Sequence, residues 1–150
     1  MTTTPSTLAT GAPAHTHAPR GQGEGSGHGE GQAWLDAERL EVYAVAVEFN
    51  VLATTFAARA DSVVRDQLRR ASLSCVLNIA EGSGQRSVAV KRNLYGTARG
   101  SAMECAAIVD VLRRRDIVSA AEATAGRALL VRQVQMLTRL DQSLQRRHER

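Results

Sequence analysis

From Trp34 to Arg150 the chain has no proline, and its apolar residues recur at steps of three and four. That spacing is the period of an α-helix. Proline would break such elements, and β-branched runs that would favour strands are short. This part of the chain is therefore confined to helices packed on helices. The spacing predicts an all-α, antiparallel up-down-up-down four-helix bundle over 34–150, behind a disordered N-terminal tail over 1–33.

The first helix is predicted from about Trp34 to Arg59. It carries two regular stripes. Leu40, Ala44, Val47, Val51, Thr54 and Ala58 form one, and Val42, Val45, Phe49, Leu52 and Phe56 form the other. A two-residue offset is about 200° of helix rotation, so the stripes lie on nearly opposite faces. A helix apolar on both sides needs two partners. One face meets the other three helices. Val42, Val45, Phe49, Leu52 and Phe56 are taken as the face that meets another subunit, because apolar patches of this size are unusual on monomers.

Asp61-Ser62 supplies an N-cap for the second helix, predicted to run to about Glu81. Its stripe includes Val64, Leu68, Ala71, Ser72, Cys75 and Ile79. Gly82-Ser83-Gly84 follows, where glycine suits a left-handed C-cap. Ser87 caps a third helix over about Val88–Arg115, with Leu94, Ala98, Ser101, Cys105, Ile108 and Leu112 on its seam. Arg113, Arg114 and Arg115 complement its dipole. Ser119 caps a fourth helix running to about Gln145, with Leu130, Val134, Leu137 and Leu144 inward. Short connections make neighbours antiparallel. A pivot near Gly84 sets Arg69 and Arg70 level with Arg99. It also puts Cys75 and Cys105 ~18 Å apart along the bundle, too far for a disulfide.

The composition changes near residue 33. All three prolines, Pro5, Pro13 and Pro19, precede it. The stretch Gly21–Gly31 has no apolar side chain and cannot offset the entropy of ordering its backbone. His15, His17 and His28 are spread along this tail and read as solvated rather than metal-ligating. No secretory or transmembrane stretch is present, so a cytoplasmic location is expected.

The net charge is +4. Setting aside Arg20, Glu24 and Glu30 of the tail leaves 18 Lys+Arg against 13 Asp+Glu, and Lys91 is the sole lysine. A basic, Arg-rich domain permits phosphate contacts. Chemistry is otherwise sparse. Beyond the tail the one histidine is His148, in the frayed end past the fourth helix, which argues against histidine acid–base catalysis. Cys75 and Cys105 match no zinc spacing. Gly82-Ser83-Gly84 lacks both the preceding strand and the Gly-Lys-Ser/Thr ending of a phosphate loop. The chain is expected to be non-enzymatic, with no cofactor or metal. Asn78, Glu81, Gly82, Gly84 and Ser87 are assigned to fixing the turn between the second and third helices. Arg86 and the opening N–H groups of the third helix are expected to offset the charge of Glu81.

Gln67-Leu68-Arg69-Arg70-Ala71-Ser72, Asn78-Ile79-Ala80-Glu81-Gly82, Arg86-Ser87 and Gly100-Ser101-x-x-Glu104 together resemble the bacterial four helix bundle protein family. Its first known members are encoded within intervening sequences of large-subunit ribosomal RNA genes. The resemblance covers roughly Leu40–Leu144. It implies up-down bundles that assemble into rings, typically pentamers. It also implies kinship with the accessory protein of diversity-generating retroelements, a basic barrel that engages nucleic acid and a reverse transcriptase. Val76 stands where the family often has proline. Val90 and Lys91 stand where an acidic and an aromatic residue usually open the third helix. That change adds positive charge near Arg86 and Arg92.

Two functions follow as expectations. One is a homo-oligomeric bundle that binds RNA or DNA through Arg65, Arg69, Arg70, Arg86, Lys91, Arg92 and Arg99. The other is a protein–protein assembly module with the tail as tether or binding peptide. Trp34, Tyr43, Phe49, Phe56 and Tyr95 form no stacking platform, which disfavours sequence-specific single-strand recognition.

Overall fold

The computed structural model describes residues 33–149. A short 3-10 helix, Asp36–Arg39, precedes four α-helices: α1 (Glu41–Ala57), α2 (Ser62–Gly84), α3 (Val88–Arg114) and α4 (Ala120–His148). The chain breaks step at Leu40, whose backbone is extended (φ −95°, ψ 119°). The first helix is thus shorter than its apolar pattern suggested. The 3-10 helix packs against α2 and buries Ala37.

Caps set the other boundaries. The Asp61 carboxylate accepts from the N–H groups of Val63 and Val64, both at 3.1 Å. Ser87 accepts from Val90 N–H, and Ser119 from Glu122 N–H. Glu122 reaches back to Ser119 N–H at 2.7 Å, closing a capping box. The end of α2 differs from expectation. No described glycine has positive φ, and α2 runs through Gly82 to Gly84 before leaving in an extended residue, Gln85. Gly82 is small for another reason: a Cβ there would sit 2.7 Å from Cε1 of the Tyr95 ring. The left-handed residue is Asp116 (φ 54°) after α3. Ile117 N–H bonds to Leu112 C=O and Asp116 N–H to Arg113 C=O, the Schellman pattern with aspartate in the usual glycine position.

Each helix packs on its sequence neighbours, and α1 closes the square against α4, so α1 and α3 stand at opposite corners. Pairing distances establish the directions. Arg92–Asp141 with Arg127–Asp110 makes α3 and α4 antiparallel, and Arg59–Glu122 with Arg132–Glu41 does the same for α1 and α4. Asn50 Nδ2 donates to Ser72 Oγ at 2.9 Å, and Ser74 and Ser101 hydroxyls meet at 3.0 Å. These two bonds place α1, α2 and α3 in register. The pivot between α2 and α3 lies in Gln85–Ser87, later than the glycines suggested. Arg70 therefore meets Glu104 rather than Arg99. Cys75 and Cys105 come within five residues of one level, ~7 Å along the axis at ~1.5 Å per residue, and not ~18 Å. Both thiols are free and buried.

The core is filled by Phe49 and Phe56 of α1, Leu68 and Ile79 of α2, Val109 and Leu112 of α3, and Leu130 and Leu137 of α4. Gly126 lets α4 approach the two phenylalanines. A Cβ there would lie 3.2 Å from the Phe56 ring and 3.6 Å from the Phe49 ring.

Candidate functional site

The inner and outer faces of α1 are reversed from the sequence expectation. Val42, Val45, Phe49 and Phe56 are buried within this chain's own bundle, and Leu52 is half-buried beside them. They are not free to meet a second subunit. The physical reason is size: two phenylalanines present more apolar area than the valines opposite, so burying them gains more. The other stripe is left outside. Ala44, Val47, Val51, Thr54 and Ala58 are exposed, Val51 by 63 %. Beside it on α2, Leu73 and Leu77 are about half exposed, and a groove between the two helices is lined by Asn50, Thr54, Arg69, Ser72 and Leu73. On the far side, α3 and α4 form a second groove, lined by Met103, Ala106, Leu130, Val131 and Val134 and edged by Arg127 and Gln135.

The seven basic candidates do not make one patch. Arg65, Arg69 and Arg70 follow α2, where Arg70 pairs with Glu104 at 3.6 Å and Arg65 lies 3.9 Å from Asp66. Arg86, Lys91 and Arg92 cluster at the turn between α2 and α3. Lys91 Nζ donates to Ser83 C=O at 3.3 Å. Arg92 holds Asp141 at 2.7 Å, and this bond keeps the Asp141 carboxyl below its ordinary range. Arg92 also reaches Gln145, which places the last turn of α4, with Arg146 and Arg147, at the same end. Arg99 sits midway up α3 and donates to Thr138 on α4 at 3.0 Å. Arg69, Arg86 and Arg99 have no ion-pair partner among the described residues.

Three of the turn candidates, Asn78, Gly82 and Ser87, make contacts within the chain. Asn78 Nδ2 donates to Ser74 C=O at 2.8 Å and lies 3.2 Å from its hydroxyl, extending the Ser74–Ser101 contact between α2 and α3. Gly82 seats Tyr95, Ser87 caps α3, and Gly84 is open to solvent. Glu81 is exposed, and among the described residues it forms no ion pair with Arg86.

Spacing along the chain missed a polar layer at mid-bundle. Gln133 of α4 is fully buried, and Cys75 Sγ donates to its Oε1 at 3.0 Å. Its Nε2 has no partner among the described residues. Burial pushes both thiols up to about 12, so neither is a nucleophile at neutral pH. Among the described residues no cluster of three or more His, Cys, Asp or Glu side chains could hold a metal ion, and no helix is long and apolar enough to cross a membrane. The tail, with its three histidines, lies outside the described residues.

No curated protein matches the chain. The model of the 23S rRNA-intervening sequence protein family matches residues 38–139, which takes in α1, α2, α3 and most of α4. With four helices, the Asn78–Gly82 segment in the last turns of α2 and this match over two thirds of its length, the chain belongs to the family of 23S rRNA-intervening sequence proteins.

Proposed function

We propose that this chain is a non-enzymatic subunit that assembles with copies of itself into a ring and, once assembled, offers arginine-rich surface to RNA or DNA. The observation that carries the reading is the exposed apolar stripe on α1, flanked by Leu73 and Leu77 of α2. A single bundle leaves this face in water, whereas assembly buries it. A closed ring is the arrangement that the family resemblance implies.

The nucleic-acid part of the reading rests on charge at one end of the bundle. Arg86, Lys91, Arg92, Arg146 and Arg147 gather there, and a ring repeats them once per subunit. A phosphate backbone would be held without base reading, so affinity should fall steeply with salt. The test is a mobility shift with structured RNA and with duplex DNA across a salt series. Binding at ~50 mM salt that weakens tenfold or more by ~200 mM supports it. No shift at ~50 mM salt with either polymer removes the nucleic-acid part and leaves self-assembly as the function.

A further inference from the structure

A second uncharged outer stripe lies on α3. Gly96, Gly100, Met103, Ala107 and Val111 recur at steps of four, three, four and four, and all are exposed, Met103 by 52 %. A Cβ at Gly96 or at Gly100 would meet nothing within 4 Å, so packing inside this chain does not explain either glycine. Both weaken a helix interior relative to alanine.

The two stripes stand at opposite corners of the bundle, on helices that run in the same direction, and at matching heights. Asn50 is level with Ser72. Ser72, two residues before Ser74 on the antiparallel α2, is level with Met103, because Ser74 is level with Ser101. Val47 is then level with Gly100, Thr54 with Ala107 and Ala58 with Val111. At these three levels the larger side chain on one helix faces the smaller on the other, while Val51 and Met103 come within one residue of one level. The matched length is about 20 Å at ~1.5 Å per residue.

The flanks match in charge as well. Glu48 lies two turns after Glu41, which reaches Arg132, so Glu48 edges the α1 stripe on the α4 side. Arg69 edges it on the α2 side. The α3 stripe is edged by Arg99 on the α4 side, through its bond to Thr138, and by Glu104 on the α2 side, through Arg70. When one copy is set beside another with axes parallel and no axial shift, Glu48 faces Arg99 and Arg69 faces Glu104. Each pair is within about two residues of one level, ~3 Å.

We infer that the partner for the α1 stripe is the α3 stripe of a second copy, so that the contact is head-to-tail. This rests on the self-assembly reading and specifies its geometry. Each copy keeps one used and one unused seam, so a two-fold dimer is not the end product.

Complementation tests it. Val51→Glu spoils the α1 seam and Met103→Glu the α3 seam, both at exposed positions. Circular dichroism checks that each full-length variant stays helical. Each variant alone should sediment as a monomer. An equimolar mixture should form a one-to-one dimer and stop there, because each partner retains one good seam. A mixture that stays monomeric, or variants that assemble like the unmodified chain, overturns the seam while leaving self-assembly standing. A monomeric unmodified chain overturns both. Charge exchange gives a second readout. Glu48→Arg and Arg99→Glu should each weaken association roughly tenfold, and the double variant should recover most of it. No recovery contradicts the pairing.

Discussion

Arg59, two residues past the end of α1, and Glu122 of α4 lie 2.8 Å apart, and the same carboxylate caps Ser119 N–H at 2.7 Å. One acidic side chain thereby joins two helices and starts one of them. The Arg59 bond, with the Ser119 N–H second, lowers the Glu122 pKa to about 2 from an ordinary 4.5. A carboxyl whose pKa is depressed in the folded state adds stability above its unfolded pKa and loses it as pH falls through the folded value. Asp61 is shifted the same way, first by Val64 N–H. The melting temperature should therefore fall between pH ~4.5 and ~2. In Glu122→Gln the fall should be shallower, from a lower starting point at neutral pH. Equal slopes for the two proteins would show that Glu122 does not contribute.

Gly82 and Gly84 are both helical but should respond oppositely to alanine. At Gly82 the new methyl collides with the Tyr95 ring, an overpacking that costs about 1–3 kcal/mol. At Gly84 it meets nothing, and reduced backbone entropy gives a gain of up to about 1 kcal/mol. Urea midpoints measure this directly. Equal midpoints for the two variants would mean that the Tyr95 contact does not constrain the turn.

Asp116 holds a left-handed backbone that glycine adopts without penalty. Asp116→Gly should stabilise the bundle by up to about 1 kcal/mol. Its exposed ion pair with Arg113, at 3.0 Å, offsets little of that gain. Denaturant unfolding of the variant provides the check, and a lower midpoint would contradict it.

Cys75 and Cys105 should resist a thiol reagent at pH 8 in the folded protein and react fully in guanidinium. Their thiols are buried, with pKa values pushed up to about 12. Rapid reaction of either under native conditions would show that mid-bundle opens readily.

The four helices, the Asp61, Ser87 and Ser119 caps and most inward seams were legible in apolar spacing and cap chemistry. The two faces of α1 were not distinguishable by period, because both stripes are equally regular. Only packing shows that Phe49 and Phe56 fill the space opposite Gly126. The register of α2 on α3 is not legible in the sequence because Gly82 resembles a helix end, whereas its smallness answers Tyr95, 13 positions later. Ion pairs such as Arg132–Glu41 join residues too far apart in sequence for any local rule to find. The basic candidates were identifiable as residue types, but their division among α2, the turn and the α4-facing side of α3 depends on that register.

Self-assembly through the outer face of α1 is the central claim, and light scattering after size exclusion tests it most directly. The unmodified chain should elute with a mass several times 16.1 kDa, and Val51→Glu should elute near 16.1 kDa with its helix content intact. An unmodified chain that elutes as a monomer across the micromolar range would contradict the account.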